Sequence, residues 1–406
     1  MKFRSFVGSL LTLFLASTLA MTLYGRPFEA ELGTIYIRSD GSVDPPTAHI
    51  SSIDNISYSL INNVYESIIV EKDNIVVDGA GHILKGTGVY ASKGISLSGR
   101  SNVTIKNMTI EAFYYGIYLY DSSGNNMCEN SITANNWYGV WLNSSSNNSI
   151  CENSITRHNW YGITLENSSN NRISANNIAN NHYGIHLSKS SNNNRISGNT
   201  IKANDGCGVF IEDSSQNIIY INEITANSLQ AIWLYFSSNN RISGNNIANN
   251  YCGIRLSASF GNSISGNNIA NNYCGIRLSA SSNNELHHNN FIENNEQVNS
   301  TDSLNTWDNG VKGNYWSNYT GVDLYSGPYQ NETGSDGIGD TPYVIDENNR
   351  DRYPFVRSTD VSPGFSISLT TFYALIIVVI VIVATVTFFT IRKRSPQSKK
   401  HLETST

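Results

Sequence analysis

Carboxylates recur at one position in the most regular part of the chain. Glu166 and Glu212 each stand four residues after a glycine, Gly162 and Gly208, and Asp213 follows Glu212 directly. Hydrolysis of a glycosidic bond needs two carboxyl groups, about 5 Å apart for retention or about 6.5–9.5 Å apart for inversion. One further unit, that of Gly184, separates the two glutamates and puts Ser188 at the matching position. If the units stack at the ~4.8 Å spacing of strands in a sheet, the pair falls near the upper end of that window. An elimination reaction would instead need a base, and arginine is one candidate if acids cluster beside it. Arg255 and Arg277 stand two after their glycines, but no acids stack beside them, and Glu129 and Glu152, which do stack, lie beyond the next turn. His182 and His186 are four residues apart in one strand, ~13 Å, too far to hold one metal. Acids suited to catalysis are therefore sparse, and binding is the better-supported chemistry.

Aromatic side chains carry that binding reading. Two before successive glycines come Tyr114, Trp137, Trp160 and His182, and two after come Tyr118, Trp141, Thr164, His186, Phe210 and Trp233. Strand alternation places both sets on the outer face with the glycines, as walls around a glycine floor. The glycan-binding candidates are Tyr114, Tyr118, Trp137, Trp141, Trp160, Phe210 and Trp233, whose rings offer apolar area with polar edges to successive sugars. No cofactor is required. Calcium is the one ion the chain admits, through the loop NETGSDGIGD, where Asn331, Asp336 and Asp340 supply oxygens around Gly337; Gly334 takes a ligand position, so a plain turn is the preferred reading. Of five cysteines, Cys128 and Cys151 match on adjacent units, as do Cys252 and Cys274, while Cys207 stands alone. Same-facing thiols in a parallel ladder make poor disulfides, so small apolar filling is expected over bridging.

These residues are positioned by a repeat. The glycine slot is filled by Gly94, Gly116, Gly139, Gly162, Gly184, Gly208, Ala231, Gly253 and Gly275, at steps of 22 to 24 residues. A period this steady means one supersecondary unit used many times. Apolar residues fall one and three after the slot, as in Val140 and Leu142, and again at eleven and sixteen, as in Ile150 and Ile155. Period two means strands, and Ser and Asn between them mean tight turns. The fold class is therefore all-β: a right-handed parallel β-helix, a solenoid of about ten coils of 22–24 residues with a cap at each end.

Asparagine repeats in the same register. Asn130, Asn153, Asn176, Asn222, Asn245, Asn267 and Asn289 stand fourteen after their slots, and Asn199 fifteen after because its coil carries one extra residue. In stacked coils their amides form a ladder along the axis. A second column runs through Asn135, His158, Asn181, Asn204, Asn227, Asn250, Asn272 and Asn294.

The chain has 406 residues, a net charge of −6, and only 14% charged residues, against about 25% in typical soluble proteins. Asparagine replaces charge as the solubilising residue, and basic residues cluster only in the tail, which excludes nucleic acid as a partner. Residues 1–25 read as a signal peptide, with Lys2 and Arg4 before an apolar run. Residues 26–70 read as an N-terminal cap, 71–300 as the repeats and 301–362 as a C-terminal cap region. Residues 369–391 carry no charge and are long enough to span a bilayer, and the basic tail 392–406 stays cytoplasmic by the positive-inside rule. The expected topology is a cell-membrane protein with extracellular repeats and one C-terminal transmembrane helix. Sequons at Asn55, Asn102, Asn107, Asn143, Asn147, Asn167, Asn299, Asn318 and Asn331 would make it a glycoprotein in a host that glycosylates.

With the glycine slot, the Asn columns and the tail motifs Asn314-Tyr315-Trp316, Asp336 to Tyr343 and Arg352-Tyr353-Pro354 in view, the chain resembles the NosD-like β-helix proteins of the carbohydrate-binding and sugar-hydrolase type. More narrowly it resembles their secreted, membrane-anchored archaeal members. The resemblance covers roughly Ile35 to Phe355 and implies a surface protein that binds a carbohydrate or other cell-envelope polymer. A polysaccharide lyase or glycoside hydrolase is the first alternative and a structural spacer the second. The family's name also implies a copper-site accessory role, but copper needs clustered Met, Cys or His. Outside the signal region only Met108 and Met127 remain, so that role is disfavoured.

Overall fold

The computed structural model describes residues 33–359. The signal segment, the apolar run 369–391 and the basic tail lie outside these residues. Among the described residues no helix is long and apolar enough to cross a membrane.

Each coil contributes three strands to three sheets of 13, 12 and 11 strands. In one coil these are Tyr138–Asn143, Ser149–Cys151 and Ser154–Thr156. Successive coils pair parallel and in register: Val140 with Ile163, Ile150 with Ile173, Ile155 with Ile178. Parallel pairing at this register stacks like on like, so Val140, Leu142, Ile150 and Ile155 form continuous apolar columns, all fully buried. The solenoid starts earlier than the repeat is readable. Thr34–Ile37 already pairs parallel with Ser67–Val70, which in turn pairs parallel with the coil of Gly94. Short antiparallel strands at Val43–Asp44 and Ile50–Ser51 cover that end, which blunts an otherwise open edge.

Each coil bends at four recurrent positions with left-handed backbone. In the coil of Gly139 these are Ser144, Asn147, Glu152 and Arg157, at φ 50–63°. Bends leave backbone N–H groups inside the solenoid, and buried N–H groups must find acceptors. The asparagine columns supply them. Asn176 Oδ1 accepts from both the backbone N–H and Nδ2 of Asn153, each at 3.0 Å. Asn176 Nδ2 donates onward to Asn199 Oδ1 at 3.0 Å and back to the Ile150 carbonyl at 2.9 Å. This column runs from Asn130 to Asn289 and continues into Asn314, whose N–H donates to Asp351 at 2.7 Å. A third column, Asn125 to Asn305, stands nine or ten after most slots and ends on Asn349 at 3.0 Å. Segment 302–351 therefore extends two ladders and closes them. Trp316, fully buried, donates Nε1 to Asp351 and stacks on Phe291 at 4.3 Å.

In the second column His158 takes the place of an amide. Its Nδ1 accepts from the Asn135 N–H at 3.1 Å, and Nε2 lies 3.2 Å from the Ile132 carbonyl. This arrangement requires the neutral ring, and complete burial pushes its pKa down to about 4.

Two outcomes follow from the ladders. Asn176→Ala leaves the Asn153 N–H without an acceptor and should cost about 1–3 kcal/mol. Asn177→Ala, one residue along on the exposed side of its strand, should cost under about 0.5 kcal/mol; denaturant titration of both variants compares them. Asn170 would be a poorer control, because its φ of 59° adds left-handed strain to any Ala variant. The second outcome concerns acid. The unfolded chain binds a proton at His158 near pH 6.5 and the folded chain only near 4. Stability is therefore full above 6.5 and falls by up to roughly 3 kcal/mol as pH drops to 4. His158→Asn should remove that increment of acid lability, measured as the difference in melting temperature between parent and variant across this window.

Candidate functional site

The aromatic residues sit on the outer face of the 13-stranded sheet, but not as alternation predicts. A Cβ on Gly116 would lie 2.5 Å from the Gly139 carbonyl and 2.9 Å from both Asn135 Nδ2 and Ile132 Cγ2, and one on Gly139 would lie 2.6 Å from the Gly162 carbonyl and His158 Nε2. The slot therefore points inward, beneath the second amide column, and the residue after it points inward as well. Alternation skips one step. Glycine is not a floor for an outer groove; the slot has room for a small residue alone, glycine in eight coils and Ala231 in one, because strand and ladder approach this closely.

The skipped step turns a different column outward. Tyr115, Tyr138, Tyr161 and Tyr183, one before their slots, lie half-buried on the outer face beside the residues two after it. Tyr115 meets Trp141 at 5.0 Å and Tyr161 stacks on His186 at 4.5 Å. This tyrosine column was visible in the sequence, and strict alternation assigns it to the wrong side. Tyr114, Trp137 and Trp160 stack face to face at the strand entry, 5.5 and 5.4 Å apart and within 11° of parallel. Tyr118 lies against Trp141 at 5.0 Å, and Phe210 stacks on Trp233 at 4.6 Å. Ring faces are thus largely taken up by neighbouring rings. A sugar cannot slide between rings this close, so a ligand along this face meets ring edges, hydroxyls and N–H groups.

One stretch of the face is concave. An open cleft of ≈380 Å³ lies over the coils of Gly139 to Gly208, walled by Tyr138, Trp160 and Tyr161 and reaching Glu212 and Asp213. Thr164 and His186 pair in register across it, as do Glu166 and Ser188. Thr164 is 3% and His186 8% exposed, yet Thr164 Oγ1 and His186 Nδ1 have no hydrogen-bond partner, and His186 Nε2 has only the Glu212 carboxyl, beyond hydrogen-bond distance. Glu166 is ion-paired with Lys189. Glu212 lies 3.7 Å from His186 Nε2, and the ring holds its carboxyl below the usual range. The sequence candidates Glu166, Glu212 and Asp213 thus meet in one cleft. Glu129 and Glu152 sit at left-handed bends elsewhere, and His182 stacks on Trp160 at 4.8 Å, apart from His186.

The cysteines divide. Cys128 and Cys151 form a disulfide across adjacent coils, Cα–Cα 4.7 Å, which corrects the expectation that both are free thiols. Cys207, Cys252 and Cys274 are buried and free, and burial pushes the Cys207 thiol up to about 12. In the calcium candidate, Asp340 accepts from the Leu324 and Tyr325 N–H groups and Asp336 from those of Gly327 and Ile338. Asn331 is exposed. Asp323, absent from the sequence reading, accepts from Ser335 Oγ and the N–H groups of Asp336 and Gly337. Hydrogen bonds from amides close this loop, a task a bound cation would otherwise perform.

The family model for periplasmic copper-binding protein (NosD) matches residues 35–205 and 189–321. The chain belongs to the NosD family. Its residues nevertheless do not fit copper. Among the described residues no three His, Cys, Asp or Glu side chains are close enough to hold one metal ion. Met108 and Met127 are spent in the apolar core, and two cysteines are spent in the disulfide.

No curated protein sequence matches this NosD chain. Among solved structures it is similar to the Dettilon tailspike protein gp208, at 19% identity and TM-score 0.50, over 61% of this chain and 60% of that one. The chain thus spans well under two thirds of the tailspike. It also resembles the A-module of Azotobacter vinelandii mannuronan C-5 epimerase AlgE6, at 15% identity and TM-score 0.49, over 61% and 80% of the two chains. A double mutant of the periplasmic alginate epimerase AlgG gives 15% identity and TM-score 0.43, over 68% and 82%. At these identities the likeness is one of fold.

Proposed function

We propose that this NosD protein is a cell-surface, membrane-anchored β-helix that binds a glycan or similar envelope polymer along its aromatic face, centred on the cleft over Thr164 and His186. The observation that carries the reading is the pair of unpartnered polar side chains in that cleft. A buried hydroxyl or imidazole without a hydrogen bond costs about 1–3 kcal/mol, which a ligand that completes it would recover. Sugars supply hydroxyls that donate and accept, and the surrounding tyrosine and tryptophan edges suit an amphipathic ring. The family's description as periplasmic supports work outside the cytoplasmic membrane, and the uncharged run 369–391 with its basic flank supports a C-terminal anchor.

Thr164→Val separates this reading from a structural spacer. Removing an unpartnered hydroxyl should stabilise the unliganded protein by up to about 1 kcal/mol, yet it should weaken binding to whichever oligosaccharide a glycan array identifies by roughly tenfold, the worth of one hydrogen bond to a buried group. A parent protein that binds no glycan, or a variant that binds as the parent does, would leave the spacer reading standing. For the anchor, protease added to intact cells should remove the repeats and spare an epitope at the C-terminus. Repeats that survive such treatment while remaining cleavable in lysates would overturn this topology.

A further inference from the structure

The charge of the cleft identifies the kind of sugar it takes. Three carboxylates, Glu166, Glu212 and Asp213, face one ammonium, Lys189, so the cleft is net negative. Its walls present ring edges and hydroxyls, so the carboxylates themselves are the seat for an organic cation. The chain fills part of that seat itself: Lys189 Nζ is paired with Glu166, on a side chain that is 72% exposed. An ion pair that open to water is weak and readily exchanged. In the same cleft Thr164 Oγ1 and His186 Nδ1 are buried without a hydrogen-bond partner, and hydroxyl groups on the same ligand would supply one.

We propose that the cleft selects an amine-bearing sugar: the protonated amine pairs with Glu166 in place of Lys189, Glu212 and Asp213 add to the negative field of the cleft, and neighbouring hydroxyls pair with Thr164 and His186. This rests on the glycan-binding reading and adds the ligand's charge to it. The same carboxylates repel a uronic acid, so the cleft discriminates against acidic polysaccharides.

Calorimetric titration of the full-length protein with three oligosaccharides tests the assignment: a glucosamine hexamer, its fully N-acetylated counterpart, and a hexamer of uronic acid, all below the pKa of the amine. The glucosamine hexamer should bind at least roughly tenfold tighter than the acetylated one, with affinity falling as salt rises, and the uronic acid should bind weakest. Glu212→Gln should weaken binding of the glucosamine hexamer severalfold. Lys189→Met should tighten it, because the competing ammonium is gone. Folding damage would move both variants the same way, so opposite shifts are the decisive sign. Equal or tighter binding of the acetylated or acidic hexamer, or parallel shifts in the two variants, would overturn the proposal. If none of the three binds while a neutral glycan does so and responds to Thr164→Val, the charge assignment falls and glycan binding stands; if no glycan binds at all, both fall.

Discussion

The fold depends on one interaction: an asparagine amide that answers a backbone N–H of the neighbouring coil. A β-helix must bend its chain several times per turn, and each bend withdraws an N–H from sheet pairing and leaves it inside. Asn176 meets that demand with a single oxygen, which takes both the N–H and the amide of Asn153. Its own nitrogen then passes the bond on to Asn199. Every rung is donor to one neighbour and acceptor from the other, so a rung has meaning only within the column. Three such columns run side by side through the bends, with a serine column beside them that begins Ser122, Ser145, Ser168 and Ser191.

The glycine slot follows from this constraint. The second amide column lies directly over it, with Asn135 Nδ2 2.9 Å from where a Gly116 Cβ would be. Accommodating the ladder turns two successive residues inward, and the strand resumes alternation one step out of phase. That phase shift carries Tyr115, Tyr138, Tyr161 and Tyr183 to the surface. An interior hydrogen-bonding requirement thereby decides which aromatic residues a ligand can reach.

How much could be read from the sequence divides along the same line. The period, the inward apolar columns and the amide column of Asn130 to Asn289 were legible, because each is a residue type held in strict register. The column Asn125 to Asn284 had a register as strict and was hidden among other asparagines of the turns. The orientation of the slot was not legible, since alternation is a local rule and the skipped step arises from contact between coils. Parallel pairing from Thr34 was obscured as well: the first coils lack both glycine slot and amide columns, and only scattered side-chain bonds, such as Asn63 Oδ1 accepting the Ile83 N–H, supplement their backbone pairing. The cleft brings together residues from Tyr138 to Asp213, spread over 76 positions, and only the stacking of coils unites them.

In a solenoid, function is written in departures from the repeat. Two residues after the slot the chain reads Tyr118, Trp141, Thr164, His186, Phe210, Trp233. Thr164 interrupts the aromatic column, whereas His186 keeps a ring there, stacked on Phe210 at 5.1 Å; Thr164 Oγ1 and His186 Nδ1, like Trp141 Nε1, are buried without partners. Four after the slot, where other coils carry Tyr120, Asn143, Tyr235 or Ser257, the same stretch carries Glu166, Ser188 and Glu212. The interruptions coincide on adjacent coils, and neither improves the stack: a threonine breaks the aromatic packing, and a second glutamate two coils on adds charge of the same sign. A scaffold shaped for stability alone would have continued the column through Trp141 to Phe210 with more rings. On the reading proposed above, the level at which two columns depart from the repeat together, around an open cleft, is the place where the repeat yields to a ligand.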